Sequence, residues 1–366
     1  MRTRAAVLRE QGKPLSVEPI EIDAPGPGEV LVEMKAAGVC HSDLHPAAGD
    51  WPMKTPVVLG HEGAGIVREV GPAVTSVRPG DHVVLCWAPA CGACDACRAG
   101  RAVLCDRLDK TNYRNRLPTA GVRLHAPSGD IAPFLGTACF ADFAVVADRG
   151  AIRVSPDVPF EALATIGCAV VTGVGAVLNA GRVPPGARAA VIGAGGVGLN
   201  VVQGLAIAGC ERIIAIDRRA APLETARQFG ATDVLSGDDD MAAAVRDLTN
   251  GRGADFVFDT VGAPATLATA LGATVKGGAV VLTGLSRVDA QGSIPMFPFV
   301  MQEKRLIGSV YGSGDPRRDI DRLLSLYREG RLKLRELVTR TYTLDRINEA
   351  LAALAAADGG RGVVIW

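Results

Sequence analysis

Residues 189–217 read AAVIGAGGVGLNVVQGLAIAGCERIIAID, and this stretch decides the fold. The apolar run 189–192 leads into Gly193-Ala194-Gly195-Gly196-Val197-Gly198, and a second apolar run continues to residue 208. That order predicts a buried strand, a tight glycine turn, a helix over 196–208 and a second strand over 212–216. Gly193 permits the turn, Gly195 lets a pyrophosphate approach the backbone, and Gly198 lets helix and strand pack closely. A helix starting there points free N–H groups at phosphate. Asp217 closes the second strand nineteen residues after Gly198. A carboxylate there takes ribose hydroxyls and repels an additional phosphate, so the site reads as one for NAD. Arg218 and Arg219 follow directly. They would offset part of that repulsion, which leaves NADP as the lesser alternative, or they belong to an exposed loop.

Beyond this stretch strands and helices keep alternating, with a helix over 222–229 and strands over 255–259 and 279–282. Such alternation predicts an α/β, doubly wound parallel sheet. The first 150 residues read differently. Short apolar runs at 30–34, 65–70 and 82–85 are separated by turn signals such as Pro25-Gly26-Pro27-Gly28, which is β-rich character. Helical runs return at 320–328 and 347–356, and Asp238 to Asp240 read as a solvated loop. A chain of 366 residues exceeds one comfortable core, so two domains are expected.

Composition narrows the partners. The 39 basic residues balance 39 acidic ones, so neither nucleic acid nor an anionic membrane is attracted in bulk. A small molecule is the expected partner. Residues 162–181 and 189–210 are uncharged and long enough to cross a bilayer. Six glycines, Asn200 and Gln203 in the second, and prolines 184 and 185 between them, fit a buried strand–turn–helix better. The first ten residues lack the apolar core of a signal peptide, and the cysteines stand in metal-type spacing. A reducing cytoplasm is expected.

Cys91, Cys94 and Cys97, with Cys105 after seven more residues, supply four thiolates from one short loop. That set closes a tetrahedral zinc site with no open position, a structural metal. Disulfides suit a CxxCxxC run poorly. An iron–sulfur cluster is the better rival, but its fourth cysteine would stand closer and precede a proline. Cys40, His61 and Cys168 form a second set of three, with a fourth place left for water or substrate, as in catalytic zinc sites. Cys86, Cys139 and Cys210 are left over as small buried apolar residues. His82 and His125 carry no expected role.

Gly38-Val39-Cys40-His41-Ser42-Asp43, Gly60-His61-Glu62-Gly63-Ala64-Gly65, the four-cysteine loop and the glycine fingerprint occur in that order. Together they resemble the zinc-dependent alcohol dehydrogenases of the medium-chain dehydrogenase/reductase family, over essentially the whole chain. The resemblance implies a GroES-like catalytic domain (1–169 and 313–366) holding both zinc sites, interrupted by a Rossmann NAD-binding domain (170–312). Zinc at Cys40, His61 and Cys168 would polarise an alcohol oxygen so that hydride leaves its carbon for the nicotinamide. Ser42 and His45 are implied as the proton relay, and Asp43 as the carboxylate that orients the histidine ligand. Glu62 matches an acidic residue behind the metal, an occasional ligand or a buried ion-pair partner. His41 and Arg361 match cations on the cofactor pyrophosphate, and Thr172 and Val197 match positions beside the nicotinamide. Histidine at 41 is a weaker anion partner than arginine, which favours quick cofactor release.

Trp51 and Trp87 match walls of the substrate pocket and favour a slim or planar primary alcohol, aliphatic, allylic or benzyl-type. The related thiol-dependent formaldehyde dehydrogenases are the alternative. Their glutathione type carries an acidic residue and an arginine where this chain has Pro52 and Asp109, which leaves a mycothiol adduct. A remote alternative from another class is a non-catalytic zinc- and NAD-binding homologue. The long segment between Cys105 and Cys139 resembles the dimeric branch. A homodimer is expected, formed through apolar sheet edges at 279–285 and 307–311.

Overall fold

The computed structural model describes residues 1–119, 121–237, 240–356 and 360–366. One compact unit comprises Met1–Cys168, Asp315–Ser325 and Leu334–Trp366, and a second comprises Ala169–Gly314 and Leu326–Lys333.

In the second unit the predicted run becomes the strand Arg188–Ile192, inside a six-stranded sheet. The strands lie in the order Asp233–Ser236, Arg212–Asp217, Arg188–Ile192, Ala254–Asp259, Thr274–Leu282, Arg305–Gly308. All neighbouring pairs are parallel. Strands of a parallel sheet are covered on both faces, which explains their continuous apolar runs. Ala190, Ile214, Val257 and Val280 are fully buried in one cluster. Each such valine or isoleucine contributes about 1.5–3 kcal/mol relative to exposure. Helix Gly196–Ala208 follows the first strand and ends at Gly209, whose φ of 79° closes a left-handed cap.

Three features differ from the sequence reading. Helices Met241–Leu248 and Pro264–Ala273 occupy stretches left unassigned. The first begins at Asp240, whose carboxylate accepts the Ala243 N–H at 2.9 Å, so this residue is a helix cap. Residues 238 and 239 of that predicted loop lie outside the described residues. Of the two expected edges, the strand Thr274–Leu282 is flanked on both sides, whereas Arg305–Gly308, which overlaps the expected 307–311, is an edge strand.

The first unit holds a closed barrel and a seven-stranded sheet. Its long strand Glu29–Gly38 pairs antiparallel with Glu62–Val70, Phe143–Ala147 and Arg361–Ile365. Gly38 faces both Glu62 and Val363, so the segments carrying Cys40, His61 and Arg361 meet at one end of this strand. The apolar stretch at 162–181 is helical throughout: Phe160–Gly181 is one helix, with π-helical turns at Ile166–Val170 and Ala176–Gly181. Its most apolar window is 89% buried, as a core helix is. Gly167 sits where a Cβ would lie 2.9 Å from the Leu85 carbonyl oxygen, so a glycine lets this helix approach the sheet and deliver Cys168.

Candidate metal and dinucleotide sites

Cys40, His61, Glu62 and Cys168 come together at the end of that strand, all buried, their ligand atoms within 4.8 Å of one another. The backbone places them and Asp43 fixes them. Asp43, fully buried, accepts the Cys40 N–H (3.0 Å) through one oxygen. Its other oxygen takes the Gly60 N–H (3.1 Å) and His61 Nδ1 (2.9 Å). One carboxylate therefore joins two segments remote in sequence and sets the imidazole tautomer. His61 Nε2 is then buried and has no hydrogen-bond partner among the described residues. A buried ring nitrogen left open beside two thiols is the donor arrangement that zinc completes.

The electrostatics agree. The hydrogen bond from Cys168 and the nearby cations Arg361 and His61 hold the Cys40 thiol well below its ordinary range, against burial. The same hydrogen bond, with burial, pushes the Cys168 thiol well up. Zinc binds thiolates, so loading this site would release the thiol protons. Burial opposes protonation of His61, but the charge and hydrogen bond of Asp43 outweigh it.

Glu62 lies behind these ligands and is ion-paired with Arg361, both buried. Nε of Arg361 donates to Oε2 of Glu62 at 3.2 Å, and a second guanidinium nitrogen donates to Oε1. Arg361, the residue expected to meet a pyrophosphate, is paired here with Glu62 through two of its three guanidinium nitrogens. Strand pairing of Arg361–Ile365 against Gly38 carries the arginine over that carboxylate, and a lone buried charge costs more than a pair. The pair cancels itself, leaving the two thiolates to balance a divalent ion.

The four-cysteine loop forms the second cluster, again with sulfurs within 4.8 Å of one another. Cys91 and Cys97 sulfurs are 4.0 Å apart, and those of Cys94 and Cys105 are 3.9 Å apart. A zinc with bonds of about 2.3 Å sets tetrahedral sulfurs about 3.8 Å apart, whereas a disulfide needs about 2.05 Å. No disulfide joins the described cysteines. The N–H groups of Ala93 and Cys94 pull the Cys91 thiol down to about 6, and burial among its neighbours pushes Cys97 up to about 12. Among the leftover cysteines, Cys86 and Cys139 are buried, but Cys210 is only half-buried, because it sits in the exposed turn after helix Gly196–Ala208.

Ser42 and His45 lie on the short helix His41–Ala48, with His41 exposed at its start. His45 Nδ1 meets Asp50 Oδ2 at 3.0 Å, and its ring stacks on Trp51 at 4.8 Å. Trp51 thus touches the candidate relay. Trp87 instead stands edge-on to His61 at 6.5 Å. Phe134 meets the same imidazole at 5.8 Å, and Tyr113 lies 6.2 Å from Trp87. Neither Phe134 nor Tyr113 belongs to a sequence motif, and only folding brings them here. His125, expected to be idle, bridges Asp130 (2.8 Å) and Asp23 (3.0 Å), and these carboxylates raise its pKa.

In the second unit Gly193 has φ of 91°, and a Cβ on Gly198 would collide with the Gly193 carbonyl oxygen. A Cβ on exposed Gly195 would have no neighbour within 4 Å, so open space lies above the backbone where a pyrophosphate is expected. Asp217 Oδ2 accepts the Ala194 N–H at 3.0 Å, which ties the carboxylate to the glycine turn. Arg218 and Arg219 are exposed, and Arg219 Nε is 3.6 Å from Asp217. Thr172 is buried, and Val197 lies half-buried in the first turn of the helix. The residues present fit a dinucleotide.

A buried Cys₂His cluster, a four-cysteine loop and a doubly wound nucleotide fold together define a zinc-binding dehydrogenase. Residues 26–157 match the alcohol dehydrogenase GroES-like domain, and residues 196–329 match the zinc-binding dehydrogenase domain. The chain is 41% identical to putative alcohol dehydrogenase D of Mycobacterium tuberculosis, over 100% of both chains. It is 40% identical to the NDMA-dependent alcohol dehydrogenase of Amycolatopsis methanolica, over 100% of this chain and 99% of that one. Identity to the S-(hydroxymethyl)glutathione dehydrogenase of Paracoccus denitrificans is 36%, with both chains fully covered. The crystal structure of benzyl alcohol dehydrogenase from Acinetobacter calcoaceticus matches with a TM-score of 0.94 at 31% identity, over 100% of this chain and 99% of that one. The chain belongs to the zinc-dependent alcohol dehydrogenases of the medium-chain dehydrogenase/reductase family, oxidoreductases whose cofactors are zinc and NAD.

Proposed function

We propose that the protein oxidises slim primary alcohols, aliphatic, allylic or benzyl-type, reversibly to aldehydes with NAD as acceptor. The observation that carries this reading is the buried Cys40–His61–Cys168 cluster, with His61 Nε2 left open and Asp43 locking the ring from behind. When bound there, zinc supplies the Lewis acid that polarises an alcohol oxygen, and NAD accepts the hydride.

The chain's own groups supply the rest. Ser42 would accept a hydrogen bond from the alcohol hydroxyl, and His45, held in orientation by Asp50 and Trp51, would hand the released proton to solvent. His41, exposed at the start of its helix, offers a ring N–H to the pyrophosphate. Trp87 and Phe134 stand edge-on to His61, with Tyr113 against Trp87, and these rings favour a flat substrate, in keeping with the benzyl alcohol dehydrogenase among the similar structures. Asp217 favours NAD over NADP by placing a carboxylate where a 2′-phosphate would sit. Residues 1–169 and 313–366 act as the catalytic domain and 170–312 as the NAD domain, in a cytoplasmic homodimer. The exposed Phe297, Val300 and Met301 and the edge strand Arg305–Gly308 support the dimer.

The test is NADH formation across a panel of alcohols, with NADP, NDMA and formaldehyde plus mycothiol or glutathione as further arms. Turnover of slim primary alcohols with NAD preferred is expected. Activity confined to formaldehyde with a thiol would establish the thiol-dependent alternative. Zinc-loaded, NAD-saturable protein inert to the whole panel would be a non-catalytic homologue.

A further inference from the structure

Helix Gly196–Ala208 carries two polar side chains beyond its first turn, Asn200 and Gln203, and both are buried, 0% and 3% exposed. Burying two amides in an otherwise apolar helix is unfavourable unless every polar atom finds a partner. Gln203 does so in full. Its Oε1 accepts the Lys333 N–H at 2.7 Å, and its Nε2 donates to the Lys333 carbonyl and to Asn200 Oδ1, each at 3.1 Å. Asn200 Nδ2 donates onward to the Gly196 carbonyl at 2.7 Å. A continuous chain thus runs from Lys333, the last residue of the second unit's returning segment, to the glycine turn.

The end of that chain is where it matters. The carbonyl of Gly196 and the N–H of Val197 belong to one rigid peptide plane. In the first turn of a helix such an N–H has no internal partner and points outward, as a donor for phosphate. Fixing the Gly196 oxygen therefore fixes the aim of the Val197 N–H. The neighbouring helix tightens the same spot, since a Cβ on Gly173 would lie 2.6 Å from Asn200 Cβ and 2.6 Å from the Val197 carbonyl oxygen. Asn200 has little room to turn elsewhere.

We infer that Asn200 and Gln203 are positioning residues for the dinucleotide, aligning the Gly196–Val197 peptide through a hydrogen-bonded chain anchored at Lys333. The inference rests on the NAD reading of the glycine turn and assigns two residues outside its motif.

The experiment measures NAD binding by calorimetry to the full-length, zinc-loaded protein, well below each variant's unfolding temperature. Asn200→Ala and Gln203→Met are each expected to raise Kd for NAD about fivefold, and the double variant to do no worse than the weaker single, because both act through one carbonyl. Asn200→Ser, whose hydroxyl can still donate to Gly196, should recover most of the affinity. Variants that lose thermal stability but bind NAD with unchanged Kd would overturn the inference, as would losses that multiply in the double variant. Should Gln203→Met fail to fold, the contrast between Asn200→Ala and Asn200→Ser decides alone. A natural protein with no saturable NAD binding would instead overturn the NAD reading itself.

Discussion

Asp43 holds the candidate metal site together, because one buried carboxylate receives three donors from two distant segments. Asp43→Asn keeps the shape but removes the charge, and its amide nitrogen faces either the Cys40 N–H or His61. Loss of such an orienting carboxylate typically weakens metal binding about 10–100-fold. After dialysis against a weak chelator, elemental analysis should find zinc falling from two ions per chain to one, with circular dichroism unchanged. Two zinc ions retained at natural affinity would contradict the role given to Asp43. The ligands themselves were legible in the sequence, since cysteine and histidine in tight glycine-rich segments have few other uses. A buried ion pair for Glu62 was among the readings, but its partner Arg361 was not, because nothing local ties residues 299 positions apart.

At the scale of elements, the four-cysteine loop contrasts with its surroundings. Residues 91–105 contain one four-residue helix and one short 3₁₀ turn, and too little apolar burial to order themselves. Metal binding supplies that order, and in small zinc modules it is worth on the order of 10 kcal/mol. Cys97→Ser should therefore release one zinc and lower the thermal unfolding midpoint, whereas Cys40→Ala should release one zinc and leave that midpoint nearly unchanged. Equal effects of the two substitutions on unfolding would refute the division into structural and catalytic sites. The strands and the cofactor helix were readable from runs and glycines. Helix Pro264–Ala273 was not, since its alanine- and threonine-rich stretch shows weak contrast between faces, and Met241–Leu248 spans only about two turns, too short a run to display its period. Phe160–Gly181 is apolar all round and buried, so it offers no period to read at all.

On the scale of the whole molecule, Met296, Phe297, Val300 and Met301 are 66–78% exposed in a helix that leads into the edge strand Arg305–Gly308. Exposed apolar side chains beside an unpaired edge suit pairing with a second copy. Light scattering of the natural protein should give twice 37.9 kDa, and Phe297→Glu should shift it toward the monomer. A mass unmoved by that charge, or a natural tetramer, would count against this interface.

Gly38 carries a consequence for how such a sequence can drift. A side chain there would need the volume filled by Glu62 Oε2, and Glu62 cannot swing aside while Arg361 holds it. Positions 38, 62 and 361 are therefore not free to mutate independently. Alanine at 38 becomes tolerable only in a lineage that has already surrendered the acid at 62, and without that acid the buried arginine at 361 becomes a burden to be replaced in turn. The three sites form an ordered ratchet, so sequences along this lineage should keep glycine, glutamate and arginine together or lose the glutamate first, with the glycine and the arginine free to follow only after it.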